Sequence, residues 1–196
     1  MAVPAATRSG GIHAPPWLGI YLNDHLVAAT ASVGLARRMN RRHRRSAYGG
    51  ELARLTAEFV QDRRSLLWCM ASLDVPVHRG KVRAARAAER TARLTPGSRP
   101  RRRSGVNTLV GLEALRLGVE GKALLWRSLL AVAVHDTRLQ TGRLAELLER
   151  AGQQLTALDS LHSRAASALI SADDPAQAAS GPPASVGRRW ALGDDE

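Results

Sequence analysis

Apolar positions recur along this chain at spacings of three and four, the period of a helix that buries one face. Residues 17–42 place Leu18, Leu22, Ala29, Val33 and Ala36 on one stripe. Residues 51–74 do the same with Leu52, Leu55, Phe59, Asp62, Leu66, Cys69 and Leu73. The stripe of residues 107–134 is Leu112, Leu115, Val119, Lys122, Trp126, Leu129 and Ala133. That of residues 141–172 is Leu144, Leu148, Ala151, Leu155, Leu158, His162, Ala165 and Leu169. Strand-type alternation is absent and β-branched and aromatic residues are few, so the pattern predicts an all-α protein of four amphipathic helices.

The punctuation between the stripes agrees. Pro15 and Pro16 precede the first helix, Gly49 and Gly50 the second, and Pro76 follows the second. TPGSRPRRRSG at 95–105 reads as a loop, Thr141 as an N-cap, and Pro175 as a stop. Residues 1–16 read as a flexible tail. Residues 173–196, rich in Ala, Pro, Gly and acid, read as a disordered one. Helices of this length make a four-helix bundle about 40 Å long, one domain over 17–172. Short connections make the first two helices, and the last two, antiparallel neighbours. The connection between helices two and three is long and carries a basic helical segment at 81–94. It permits the up-down-down-up order of ferritin-like folds, and equally a plain up-down-up-down order. Gly118 and Gly121 are costly inside a helix, about 1 kcal/mol each, so a neighbouring helix is expected to approach there.

Composition changes this picture only in places. The 196-residue chain has a formal charge of +12, from 27 Arg, 2 Lys and 17 acids. Six arginines fall in RRMNRRHRR (37–45), and residues 79–103 hold ten basic residues against Glu89, so the charge is two patches around a slightly acidic remainder. Arg41, Arg42, Arg44 and Arg45 at a helix end, and Arg101, Arg102 and Arg103 on a loop, are candidate anion-binding residues. Neither segment has an aromatic to stack bases, which limits any nucleic-acid role to nonspecific contact. No run of apolar residues is long enough for a membrane span. The N-terminus lacks an apolar signal core, and Cys69 is the lone cysteine, which together suggest a cytoplasmic protein. Cys69 lies on a core stripe and is expected to be an inert buried thiol. Trp68 lies off the stripe of its helix, where the 81–94 segment or a partner, including a second copy, would cover it. Trp190 sits in the tail as a short docking element at most.

Each stripe carries one polar residue or has one beside it: His25, Asp62, Lys122 and His162. A buried ionisable group is expensive unless paired, so these four are expected to form a polar layer, with Asp62 bound to Lys122.

YLNDHLVAATASVGLARR (21–38), AEFVQDRRSLLWCMASLDV (57–75), LEALRLGVEGKALLWRSL (112–129) and LLERAGQQLTALDSLHSRAASAL (147–169) resemble the four helices of a family of uncharacterised actinobacterial proteins. Gly118, Gly121, Lys122 and Trp126 carry the most specific part of that resemblance. It implies a ferritin-like architecture and no particular activity.

Ferritin-like metal sites need a Glu on each of two helices and Glu-x-x-His on the other two. Asp24, Glu58, Glu113, Asp159 and His162 supply only a partial set, and Lys122 would repel a cation. Cofactor signatures are missing: there is no G-x-G-x-x-G, no P-loop beyond the GK of GVEGKA (118–123), and no G-x-S-x-G. The reading that follows is a non-enzymatic bundle with no cofactor, acting structurally or on an unknown protein partner. A basic nucleic-acid-associated protein, and a degenerate ferritin-like bundle binding a metal or small molecule, are the alternatives.

Overall fold

A computed structural model describes residues 15–78, 80 and 101–171. Among them the chain is all-helical: α1 is Pro16–His43, α2 Gly49–Ser72, α3 Arg101–Ala133 and α4 Thr141–Ser171. The four expected helices are present, with shifted ends. The 81–94 segment, the tail with Trp190, and residues 1–14 lie outside the described residues.

Pro16 opens α1, where its missing N–H costs nothing. Gly49 and Gly50 do not break the chain but form the first turn of α2. Glycine is required at 49, because a Cβ there would lie 2.8 Å from the Arg44 carbonyl oxygen. α2 ends before Pro76, by a paired hydrogen-bond motif: Asp74 N–H to Ala71 O at 3.2 Å and Val75 N–H to Met70 O at 2.8 Å. Asp74 occupies the left-handed position of that motif, at φ 55°, where glycine is usual. Buried Asn23 then pins the departing chain. Its amide donates to Gly19 O and Pro76 O, and its carbonyl accepts from His78 N–H at 2.7 Å. Arg101, Arg102 and Arg103, expected on a loop, are the first residues of α3. Gln140 O accepts from Leu144 N–H, so Gln140 rather than Thr141 precedes the first turn of α4.

Helix directions follow from which residues meet. Between α1 and α3, Met39 lies against Gly111, Ser32 against Gly118, and Tyr21 hydroxyl 3.2 Å from Ser128 Oγ, so the pair is antiparallel. Between α2 and α4, Glu58 meets Gln154 and Trp68 meets Arg143, again antiparallel. α1 with α2 and α3 with α4 are the closely packed neighbours. The order is therefore up, down, down, up around the ring α1, α2, α4, α3, which settles the choice that connection lengths left open.

The core is one cluster running the length of the bundle, with Leu22, Leu26, Leu55, Leu66, Leu115, Trp126, Leu129 and Leu144 fully enclosed. Burial at this scale contributes about 25 cal/mol per Å² of apolar surface removed from water. The stripes of α2 and α3 are those the periodicity predicts. That of α4 keeps Leu144, Ala151, Leu158 and Ala165, but its alternate positions fall one residue earlier: Leu147, Gln154 and Leu161 face inward, while Leu148, Leu155 and His162 are half-buried.

Candidate functional site

Asp62 and Lys122 stand at the middle of α2 and α3 and meet inside the bundle. Lys122 Nζ donates to Asp62 Oδ2 at 2.5 Å and also to Gln154 Oε1. Gln154 Nε2 returns bonds to Asp62 Oδ2 at 3.1 Å and Glu58 Oε2 at 2.9 Å. The face of Phe59 lies 4.6 Å from the ammonium, a cation–π contact. On the other side of the carboxylate, Arg150 Nη2 lies 2.9 Å from Asp62 Oδ1 as an ion pair, without hydrogen-bond alignment. Glu58 is held in turn by Arg54 at 2.5 Å. Asp62, Lys122, Gln154 and Glu58, from three helices, thus hydrogen-bond one another, while Asp62 Oδ1 has only its ion pair with Arg150. Burial pulls the Lys122 ammonium below the usual lysine range, and Asp62 opposes that pull. Two of its three hydrogens are committed to Asp62 and Gln154, so the group is held in place rather than left free to react.

Beside this layer lies a cavity of about 130 Å³ between α1, α2 and α3. Phe59, Leu66, Val119, Leu125 and Trp126 form its apolar wall, and His25, Ser32, Asp62, Arg63 and Lys122 its polar edge. Two glycines of α3 contribute differently. A Cβ at Gly118 would lie 2.6 Å from Ser32 Oγ, so Gly118 allows α1 to approach, as expected. A Cβ at Gly121 would meet nothing within 4 Å, so no helix approaches there; Gly121 leaves room in the cavity wall instead. Trp126 is fully buried, yet its indole N–H has no acceptor among the described residues. Such an orphan donor costs about 1–3 kcal/mol. Burial holds the His25 imidazole below its ordinary pKa against the opposing charge of Asp24, and Tyr21 packs edge-on to it at 4.5 Å. Exposed Leu117, also part of the lining, and exposed Ala28 mark the mouth on the α1–α3 face.

The remaining sequence-predicted residues fall elsewhere. His162 is not in the polar layer, because the alternate positions of the α4 stripe fall one residue earlier. Its Nε2 pairs with Glu113 Oε1 at 3.1 Å across the α3–α4 seam. Asp159 beside it accepts from Arg116 at 2.7 Å. Glu58 is taken up by Arg54 and Gln154, and Asp24 is exposed on α1. Of the five metal candidates, Glu113, Asp159 and His162 line one pocket on the α3–α4 seam together with Arg116, while Asp24 and Glu58 lie elsewhere; among the described residues no group of three or more His, Cys, Asp or Glu could hold a metal ion. Cys69 is buried, and desolvation pushes its thiol up to about 11. Trp68 is covered by Arg143 of α4, whose guanidinium lies 4.3 Å from the ring. The end of α1 and the start of α3 lie at the same end of the bundle: His43 Nε2 lies 3.1 Å from Thr108 Oγ1. Exposed Arg41, Arg42, Arg44 and Arg45 therefore share one end of the bundle with the helix start that carries Arg101, Arg102 and Arg103.

Gln154, Arg150 and the unpaired N–H of Trp126 are the parts that sequence reasoning missed. Gln154 was legible in principle, lying three residues after Ala151 and four before Leu158, but Leu155 competes for the same stripe. No helix among the described residues is long and apolar enough to cross a membrane. No protein-family model matches the chain, and no curated protein or solved structure matches it.

Proposed function

We propose that this chain is a non-enzymatic binding bundle of ferritin-like helix order that holds a small, mostly apolar molecule with one hydrogen-bond acceptor. The apolar cavity carries this reading: Trp126 stands in its wall with a buried indole N–H that has no acceptor among the described residues, and an acceptor on the ligand would satisfy it once the ring turns toward the cavity. The volume, about 130 Å³, resembles the roughly 150 Å³ engineered cavity that takes up benzene, so the ligand is of that size. The paired Lys122 and Asp62 fix the polar edge without offering a nucleophile. The up-down-down-up order supports kinship with ferritin-like bundles. A lone buried thiol supports a reducing, cytoplasmic setting. The apolar rim at Leu117 and Leu124 is where an unknown protein partner would hand over or read the ligand. Protein purified from its native host, denatured and extracted, should release one small molecule in stoichiometric amount. Extracts empty of any such compound, together with failure of benzene-sized probes to bind, would overturn the reading.

A second reading rests on a different observation, the convergence of two arginine segments at one end of the bundle. Such an end suits nonspecific contact with the phosphates of nucleic acid. Binding to duplex DNA should then weaken steeply with salt, and neutralising Arg44 and Arg45 should flatten the slope. No binding at low salt would end this reading.

A further inference from the structure

The seam between α2 and α4 is far more open than the α3–α4 seam. It contains a groove of about 390 Å³, within the range of about 300–1,000 Å³ usual for small-molecule sites. The groove is lined by Arg64 of α2 and by Arg143 and Arg150 of α4, with Gln61, Ser65 and Glu146 completing the polar wall. Three guanidiniums face a single groove carboxylate.

Each arginine is held differently, and Arg64 and Arg143 keep donors to spare. Arg143 stacks on Trp68 at 4.3 Å, which occupies the face of the guanidinium and leaves its edge N–H groups for an acceptor. Arg150 is anchored by Gln61 Oε1 at 3.2 Å and by Asp62 Oδ1 at 2.9 Å. Its Nε–H is nevertheless buried without an acceptor among the described residues. Arg64 is exposed and makes no ion pair or hydrogen bond among the described residues. Asp62 is shared between Arg150 and Lys122, so the groove keeps an excess of positive charge from its arginines against Glu146.

We infer that this groove binds a small soluble phosphate monoester. A dianionic phosphate presents three oxygens, which match the edge hydrogens of the exposed Arg64 and Arg143 guanidiniums. Carboxylates would satisfy fewer of these donors, and a chloride ion only one geometry at a time. The site is separate from the α1–α3 cavity and does not depend on a ligand there.

The test is calorimetric titration of the full chain with inorganic phosphate and with glycerol 3-phosphate, against chloride at matched ionic strength. One saturable site is expected, with glycerol 3-phosphate at least as tight as inorganic phosphate. Arg64→Gln with Arg143→Gln should weaken it tenfold or more while leaving the far-ultraviolet spectrum unchanged. If the double variant loses its fold, Arg64→Gln alone, at an exposed side chain, should still weaken binding severalfold. Heat no different from chloride, or equal affinity in wild type and variants, would overturn the proposal. Binding to phosphatidic acid vesicles with none to either soluble phosphate would also overturn it, by assigning the groove to a lipid headgroup.

Discussion

Replacing Asp62 by leucine should strike the bundle harder than replacing Lys122 by methionine, although the two residues are partners. Asp62→Leu leaves the Lys122 ammonium, 13% exposed, with Gln154 as its remaining hydrogen-bond partner, and strips Arg150 of its carboxylate. An uncompensated buried charge costs about 3–5 kcal/mol. Lys122→Met leaves Asp62 still facing Arg150 at 2.9 Å and Gln154 Nε2 at 3.1 Å. The group it orphans is the neutral Gln154 Oε1, worth about 1–3 kcal/mol. The double variant removes ammonium and carboxylate together, so its loss should fall short of the sum of the singles by at least ~1 kcal/mol. Urea unfolding of the four proteins, extrapolated linearly to water, gives the three differences. Losses of this size are a large share of a total that is typically about 5–15 kcal/mol. Single variants within ~0.5 kcal/mol of wild type, or additivity within the same margin, would refute the argument.

Other outcomes follow from the same structure. The Cys69 thiol, pushed up to about 11 and buried, should stay unreactive toward a thiol reagent in the folded protein and react at once in denaturant; fast labelling of native protein contradicts its placement. His25 titrates lower in the folded chain than its ordinary 6.5, so the unfolded state binds more protons below that value. Its share of stability is present above pH ~6.5 and falls as the pH drops toward the folded value, and His25→Gln should flatten that part of the stability–pH curve. Gly49→Ala forces a Cβ to 2.8 Å from a backbone oxygen and should destabilise by about 1–3 kcal/mol. Gly50→Ala, with nothing within 4 Å, should instead stabilise by about 0.5–1 kcal/mol. Equal thermal shifts for the two glycine variants would contradict the helix start at Gly49.

The four helices and the Asp62–Lys122 pair were legible because spacing alone fixes a helical face, and one ionised residue per stripe demands a partner. Periodicity failed where two adjacent stripes were both apolar. In α4, Leu147 and Leu148, and then Gln154 and Leu155, offer rival faces, and hydrophobicity favoured Leu155 over the glutamine that the Lys122 ammonium selects. That one-residue shift at alternate stripe positions carried His162 out of the expected layer and hid Gln154 and Arg150. The arginines at 101–103 were misplaced for another reason. Gly105 reads as a breaker, whereas in the bundle it gives room to Leu169, whose Cδ1 would lie 2.4 Å from a Cβ there. The cavity was not legible at all, since it depends on where Gly121 leaves α3 unfilled.

The central claim, an occupied cavity beside Trp126, is tested most directly by following the Trp126 indole N–H in ¹⁵N-labelled protein during titration with phenol, its signal assigned by Trp126→Phe. Phenol combines a benzene-sized body with an acceptor oxygen. The account predicts a saturable shift of that one signal, weaker with benzene, and lost in Gly121→Leu, whose side chain would fill the space without a clash at Cβ. A Trp126 signal that does not move, or that moves equally in Gly121→Leu, would contradict it.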